Sequence, residues 1–274
     1  MSEDNAQDHP HGNPHDKTRG RFVWFDLASP DLEAAKSFYP AVVGWGTQVF
    51  EAPGMAYTMW TAGERPIGGN LEMTAQAAAG LDRPHWLAYI GVPAVDATVA
   101  RAQELGAKAV MPPTDIPSVG RFAVIADPQG ALTAPFTPAP GGMSPPEGPP
   151  PMGDFSWHEL ATSDSQAAFA FYSELYGWVK VSEFDMGPDL GIYQLFGRGG
   201  APLGGMYTKT ADLPGPPAWL PYARVADINA ATEAVRQHGG QIQHGPVEVP
   251  TGDWVVMILD NQGTPFAMHQ VKGE

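Results

Sequence analysis

Cysteine is absent from this chain of 274 residues. Without cysteine the protein can form neither a disulfide framework nor a thiolate metal site. Positive charge is also scarce, because 15 Lys and Arg stand against 30 Asp and Glu and give a formal charge of −15. A surplus of negative charge repels the phosphates of nucleic acids and the headgroups of anionic lipids at long range. We therefore expect neither nucleic acid nor a membrane surface as a partner.

Long apolar runs are lacking as well. No stretch approaches the roughly 18–20 apolar residues that cross a membrane, and the first 21 residues contain no hydrophobic segment of a signal peptide. With the lack of cysteine, this predicts a cytoplasmic protein. The polar composition of residues 1–21, which include His9, His11 and His15, predicts a disordered tail rather than a metal site.

What the sequence does contain is an internal repeat. FVWFDLASPD at 22–31 returns as FSWHELATSD at 155–164, which is 133 residues later. The same offset relates Phe38-Tyr39 to Phe171-Tyr172, Gly44-Trp45 to Gly177-Trp178, and Asp127 to Asp260, whereas Gly68-Gly69 returns as Gly204-Gly205 after 136 residues. A loop insertion that is later compensated explains the local change of offset. The chain is therefore predicted to be a tandem duplication, with one domain at 22–137, a Pro/Gly-rich linker at 138–154 and a second domain at 155–274.

The apolar periodicity within each copy predicts a strand, a helix and three further strands, and this order then repeats. Ser29 and Ser163 are the candidate N-caps of the first helix in each copy. Each first helix is expected to end at a glycine, Gly44 in one copy and Gly177 in the other.

Three motifs of this pattern resemble those of the vicinal oxygen chelate superfamily: the opening strand followed by S-x-D, the helix that ends in FY-x₄-GW, and the late D-P-Q-G turn. That superfamily includes glyoxalase I, the extradiol dioxygenases, and the bleomycin and fosfomycin resistance proteins. The resemblance covers 22–137 and 155–271 and is closest to tandem-domain, glyoxalase-like proteins. It implies an α+β fold of two glyoxalase-like domains, each a pair of βαβββ modules that form a curved, half-barrel mixed sheet.

The resemblance also implies where a divalent metal would be bound. Three of the family's ligand positions fall on the first, fifth and last strands of a domain, and they hold Trp24 and Trp157, Leu87 and Leu220, and Ala134 and Ala267. These side chains cannot donate a lone pair to a metal ion. For the remaining position Glu72 is the only ionisable candidate. We therefore expect no metal and no cofactor, with a rearranged divalent metal site as the alternative.

His158 directly follows Trp157 and is a tempting replacement ligand. The concave face of each predicted sheet would form a cleft, which Trp157 is expected to face. Because side chains alternate across a strand, we expect His158 to face away from that cleft.

Other candidate residues lie two residues beyond each of the three metal-ligand positions and on the same face of the strand. They are Asp26 and Glu159, Tyr89 and Tyr222, and Phe136 and His269. Only the second copy thus combines a carboxylate, a phenol and an imidazole, which together supply an acceptor, a donor and a titratable group. These groups either satisfy one another inside a concave sheet or form a proton-handling, ligand-orienting cluster. The two tryptophans are either core residues or platforms for a planar ligand.

Two classes of function remain open. The favoured one is a metal-free binding protein whose aromatic clefts hold a small planar or apolar molecule. The alternative is an enzyme, a lyase, isomerase, hydroxylase-like or dioxygenase-like catalyst that uses Glu159, Tyr222 and His269 or rearranged metal ligands. We expect the ligand in the cleft of the second copy against Trp157, with Trp24, Asp26 and Tyr89 as weaker counterparts in the first.

The linker holds the two domains at a high effective concentration, which predicts that they pack as an intramolecular pseudo-dimer.

Overall fold

The computed structural model describes residues 18–52, 55–73, 83–142, 148–188, 191–213 and 215–273. The first copy contains β1 (Phe22–Ser29), α1 (Leu32–Val43), β2 (Gly46–Ala52), β3 (Met55–Ala62), β4 (Arg65–Glu72), β5 (His85–Gly91), α2 (Val95–Glu104), β6 (Lys108–Ile116), β7 (Gly120–Ala126) and β8 (Leu132–Pro138). The second contains β9 (Phe155–Thr162), α3 (Ser165–Tyr176), β10 (Val179–Asp185), β11 (Ile192–Arg198), β12 (Ala201–Thr208), β13 (Ala218–Arg224), α4 (Ile228–Gln237), β14 (Gln241–Glu248), β15 (Trp254–Leu259) and β16 (Pro265–Gln270). The predicted order of strand, helix and three strands is confirmed in all four modules.

Each copy forms one open, mixed sheet of eight strands, in the order β2-β3-β4-β1-β5-β8-β7-β6 and β10-β11-β12-β9-β13-β16-β15-β14. At the centre of the first sheet, β1 pairs in parallel with β4 and antiparallel with β5, and β9 does the same with β12 and β13. The parallel pairs require glycine, since a Cβ at Gly68 would lie 2.4 Å from the carbonyl oxygen of Phe25, and one at Gly204 would lie 1.9 Å from that of His158. This confirms the predicted α+β fold.

The first helix of each copy begins one or two residues later than the serine candidates indicated. Asp31 is the N-cap of α1, and its Oδ1 accepts hydrogen bonds of 3.0 Å from the N–H groups of Glu33 and Ala34. Asp164 caps α3 in the same way. The prediction of Ser29 and Ser163 was wrong because both S-x-D and T-S-D place a carboxylate directly before the first helical turn, where its negative charge also faces the positive end of the helix.

The helices of one copy pack against those of the other. One hydrophobic core joins α1 and the first module of the first copy to α4 and the second module of the second copy. Another joins α2 and the second module of the first copy to α3 and the first module of the second copy. Hydrogen bonds across this contact are reciprocal: Tyr39 donates to Asp260 at 3.0 Å, and Tyr172 donates to Asp127 at 2.9 Å. Reciprocal contacts are what two equivalent units related by a two-fold axis make.

The two Gly-Trp pairs make a second reciprocal contact. Trp45 Nε1 donates to the carbonyl oxygen of Gly153 at 2.6 Å, and Trp178 Nε1 donates to that of Gly20 at 2.7 Å. The FY-x₄-GW helix ends therefore contact the D-P-Q-G turn of the first copy, the matching D-N-Q-G turn of the second, and the segments that directly precede β1 and β9. The pseudo-dimer in solution stays a prediction.

Residues 18–21, which composition assigned to the tail, contact the body of the protein. Thr18 is buried, and the Gly20 N–H donates to Gly91 at 2.8 Å. The rest of the predicted tail, residues 1–17 with His9, His11 and His15, lies outside the described residues. Among the residues that are described, none of the helices is both long enough and apolar enough to pass through a bilayer.

Candidate functional site

A buried carboxylate lies on the central strand of each sheet, surrounded by aromatic donors. In the first copy this is Asp26 on β1. Its Oδ1 accepts hydrogen bonds from Trp24 Nε1 at 3.0 Å and from the Tyr57 hydroxyl, and its Oδ2 accepts one from the Tyr89 hydroxyl at 2.7 Å. Both carboxylate oxygens are therefore occupied. We call the face of the first sheet that bears these residues the first cleft.

In the second copy the corresponding carboxylate is Glu159 on β9. The Tyr193 hydroxyl donates to Glu159 Oε2 at 2.9 Å, and Tyr222 is hydrogen-bonded to the same carboxyl group. Trp157 Nε1 donates to the Tyr193 hydroxyl at 2.9 Å rather than to the carboxylate. Tyr207 stacks on Tyr193, with ring centroids 6.1 Å apart. We call the face that bears this cluster the second cleft.

Tyr57 and Tyr193 were not among the predicted site residues. They lie on β3 and β11, which carry none of the family's ligand positions used above, but they correspond to each other at the offset of 136 that also relates the glycine pairs. The glycines make room for them: a Cβ at Gly69 would lie 1.8 Å from the Tyr57 hydroxyl oxygen, and one at Gly205 would lie 2.1 Å from a ring carbon of Tyr193. The shared offset was the signal that could have found this tyrosine.

Burial changes the acid–base properties of both carboxylates. It raises the pKa of Glu159 to about 7, although the hydrogen bonds from Tyr193 and Tyr222 act in the opposite direction. Burial raises the pKa of Asp26 too, against the lowering effect of its three donors. Burial and the nearby carboxylate hold the pKa of Tyr193 and that of Tyr222 well above the ordinary value for tyrosine. Glu159 is therefore a group that can gain or lose a proton near neutral pH beside two neutral phenols.

The two clefts differ in how far they are filled. In the first, a hydrophobic cluster packs over the carboxylate, and all its core members are buried: Trp24, Leu87, Tyr89, Val124, Ala134 and Phe136. In the second, four of the equivalent positions stay partly exposed: Trp157, Leu220, Met257 and His269. At these equivalent positions the first cleft is therefore covered, whereas part of the second cleft's lining faces solvent.

The structure brings Glu159 and Tyr222 together but gives His269 other partners. Its Nδ1 lies 3.0 Å from Ser156 Oγ, and its Nε2 lies 3.4 Å from Asp253 Oδ2. The first copy has no such polar trio, because Val23, Phe136 and Gly120 occupy the equivalent positions. His269 is thus held by residues that sequence reasoning did not single out. Its predicted role in the site stays a prediction.

His158 lies on the other side of the strand, as alternation predicts. Its ring centroid is 3.7 Å from that of Phe22, at the contact between the two copies. Burial lowers the pKa of His158 to about 3, so its imidazole is neutral at physiological pH.

The residues at the family's ligand positions do not fit a metal ion. Trp24 and Trp157 use their indole N–H groups as hydrogen-bond donors, and Glu72 is exposed at the end of β4. Within the part of the chain that the structure describes, no three His, Asp or Glu side chains form a group that could hold a metal ion. We derive no chemistry through a metal, and metal-free function stays a prediction to be measured.

Comparisons with known proteins agree with this architecture. The model of the family described as "Glyoxalase/Bleomycin resistance protein/Dioxygenase superfamily" matches residues 21–134 and again 155–268. The chain is 31% identical over 251 residues to the protein named "Putative glyoxylase CFP32" of Mycobacterium tuberculosis, covering 89% of this chain and 92% of that one. It is 27% identical over 272 residues to the protein named "Anthracycline biosynthesis protein DnrV" of Streptomyces peucetius, covering 92% and 94%.

Solved structures share the fold at low sequence identity. The Mn(II)-bound glyoxalase from Novosphingobium aromaticivorans has a TM-score of 0.60 at 16% identity, with 92% of this chain and 82% of that chain covered. Homoprotocatechuate 2,3-dioxygenase from Arthrobacter globiformis has a TM-score of 0.64 at 15% identity, with 94% and 82% covered. At such identities the likeness concerns the fold alone.

Proposed function

The chain belongs to the Glyoxalase/Bleomycin resistance protein/Dioxygenase superfamily, and we propose that it binds a small planar aromatic molecule in the second cleft without the help of a metal ion. One observation carries this proposal. The lining of the second cleft is partly exposed around Trp157, while the equivalent lining of the first cleft is buried beneath its own side chains. The first copy then serves mainly as a packing partner for the second.

The chemistry of the second cleft suits a flat molecule that carries hydroxyl or carbonyl groups. The indole of Trp157 and the side chain of Leu220 offer apolar surface, and aromatic faces favour offset stacking with a planar ring. Below them, Glu159 and the Tyr222 hydroxyl can accept and donate hydrogen bonds. Two relatives are named anthracycline biosynthesis proteins, and an anthracycline is a planar polycyclic aromatic with phenol and quinone groups. A ligand of this class matches both properties of the cleft.

The test is a fluorescence titration with doxorubicin, an anthracycline, on protein treated with a chelator. We expect Trp157→Ala to weaken binding by about tenfold or more, because an aromatic pair contributes roughly 0.5–1.5 kcal/mol beyond its area burial. Trp157 is partly exposed in the lining, and an unchanged melting temperature of the variant would attribute the loss to contact with the ligand and not to unfolding. The matched control, Asp26→Asn in the first cleft, should leave the affinity within about twofold.

Three outcomes would contradict the proposal. The first is equal affinity of wild type and Trp157→Ala. The second is an effect of Asp26→Asn as large as that of Trp157→Ala, which would place the molecule in the first cleft. The third is restoration of binding only after a divalent metal is added, which would mean that metal-free binding is wrong.

A second candidate function, proton transfer to or from the bound molecule, is favoured by the acid–base properties of Glu159. A general acid or base works best when its pKa lies near the working pH, and burial brings Glu159 there. In this case Glu159→Gln should abolish conversion of the ligand while leaving its affinity within about threefold, since the amide keeps the shape of the carboxyl group and part of its hydrogen bonding. Unchanged turnover in this variant would exclude Glu159 as the proton-transferring group.

A further inference from the structure

A large cavity lies between the two copies, on the side of β1 and β9 that faces away from both clefts. Its volume is about 1020 Å³. Its walls come from the central strands, from the β3–β4 and β11–β12 hairpins, and from the end of the linker at 148–150. Ligand pockets of drug-sized molecules typically measure about 300–1,000 Å³, so the volume admits a molecule of several rings.

The cavity concentrates positive charge in a strongly acidic protein. Three arginines line it, Arg21, Arg65 and Arg198, out of only 15 basic residues in the whole chain. The single acidic residue in the lining, Asp154, forms an ion pair with Arg65. Among the described residues, the guanidinium of Arg21 has neither a hydrogen-bond acceptor nor an ion-pair partner. The local charge is therefore positive, and a guanidinium fork is available for a carboxylate, sulfonate or phosphate.

The wall includes several aromatic rings and an unsatisfied polar atom. Phe22, Phe25 and Phe155 line the cavity together with His158. His158 is only 7% exposed, and its Nδ1 is buried without a hydrogen-bond partner within the described structure. Buried polar atoms are almost always paired, with protein or with ordered water, so this nitrogen can accept a hydrogen bond from a molecule in the cavity. The first copy has Phe25 at the equivalent position, so this polar atom occurs on one side of the contact only.

We propose that this cavity is a second ligand site for an organic anion with an aromatic body, whose acidic group pairs with Arg21 and whose rings contact Phe22 and His158. The site is independent of the proposed function of the second cleft, because it lies on the opposite face of the strands that bear Trp157 and Glu159. An inorganic anion would leave the aromatic wall uncovered, which is why the occupant is an aromatic acid.

The test compares two probes with nearly the same rings, 8-anilinonaphthalene-1-sulfonate and the uncharged N-phenyl-1-naphthylamine, by fluorescence titration of the full chain. We expect the sulfonate to bind at least about tenfold more tightly than the neutral probe, as charge-assisted hydrogen bonds from guanidinium groups predict. Arg21→Gln should remove most of that difference and leave the affinity of the neutral probe unchanged. Ala201→Trp, at an exposed position in the wall, should weaken both probes by filling the cavity.

The matched control is Arg121→Gln, which removes an arginine bound to Asp96 and Asp115 on the surface of the first copy. This change should leave both affinities as they are. Equal affinity for the two probes, or equal losses in Arg21→Gln and Arg121→Gln, would overturn the proposal. So would sensitivity of the sulfonate to Trp157→Ala instead of Arg21→Gln, since the anion would then lie in the second cleft. An unchanged melting temperature of Arg21→Gln would confirm that the variant is folded.

Discussion

Replacing Glu159 by Gln should change how the stability of the protein depends on pH. Burial raises the pKa of Glu159 from its ordinary 4.5 to about 7. Below pH 4.5 the carboxyl group is protonated in both folded and unfolded chains, so the stability linked to this group is fully present. As the pH rises toward 7, the unfolded chain loses the proton first, and the free energy of unfolding falls. The total loss is about 3 kcal/mol, since one pKa unit corresponds to roughly 1.4 kcal/mol.

Glutamine is neutral at every pH and does not undergo this loss. The free energy of unfolding of Glu159→Gln minus that of wild type should therefore rise by about 3 kcal/mol as the pH increases from 4.5 to 8. At the acid end the variant should be somewhat less stable than wild type, by about 1 kcal/mol, because the amide replaces a protonated carboxyl group among two tyrosine hydroxyls. The two stability curves are thus expected to cross.

The quantity to be measured is the difference in the free energy of unfolding between wild type and Glu159→Gln at each pH. His158 contributes with the opposite sign, since its pKa is lowered to about 3 in the folded protein and its stability is lost as the pH falls below its ordinary 6.5. That contribution cancels when guanidinium denaturation of wild type and variant is compared at half-unit steps of pH. Glu183→Gln, at an exposed carboxylate on β10 paired with Lys180, is the control and should give a flat difference. A difference for Glu159→Gln that is flat within about 1 kcal/mol would refute the raised pKa, and with it the acid–base part of the site.

Three further predictions concern the contact between the copies, the imidazole and the metal. Tyr172→Phe should lower the free energy of unfolding by about 1–3 kcal/mol, because it leaves a carboxylate oxygen of Asp127 unpaired at the contact between the copies. An unchanged free energy of unfolding, or two independent units in solution scattering, would contradict the pseudo-dimer. His269→Phe should cost about 1–3 kcal/mol of ligand binding if the imidazole bonds the ligand, while Phe136→His in the first cleft should have little effect; equal affinity of wild type and His269→Phe would remove that residue from the site. After removal of residues 1–17, elemental analysis should find no stoichiometric zinc, iron, nickel or manganese, and near-equimolar metal would disprove metal-free function.

Periodicity and internal repetition were sufficient to predict the order of strands and helices, because each element carries its own apolar pattern and the pattern occurs four times. The curved, half-barrel sheet was implied by the resemblance to the vicinal oxygen chelate superfamily. The same information was not sufficient to predict the partners of His269. Alternation correctly places His269 on the face of β16 that is opposite to the core residues Phe266 and Met268. Its partner Ser156 lies at a register shift in the pairing of β9 with β13, where Tyr222 pairs with Trp157 and Ala223 with Phe155. A bulge adds one residue to a strand and redirects its neighbours, and nothing in a single sequence marks its position.

Some equivalent positions of the two copies hold the same residue and others differ. Tyr39 and Tyr172 are equivalent, and each makes its hydrogen bond to the other copy. Changing either one alone would leave a buried carboxylate without its donor, so packing opposes divergence at these positions. Two positions that differ are at candidate ligand sites: His269 in the second cleft stands where the first copy has Phe136, and His158 in the cavity stands where it has Phe25.

Such a division follows from the physics of a duplicated sheet. The first cleft fills itself with its own side chains, which removes apolar surface from water and stabilises the pair. The second copy can then keep a partly exposed lining and the unpaired, buried Nδ1 of His158, both of which cost stability, because the shared cores hold it in place. Polar groups that are expensive in the folded state and that occur in only one of two otherwise equivalent units are best explained by a bound molecule. The asymmetry of the copies therefore directs the search for a ligand to the second cleft and to the arginine-lined cavity beside it.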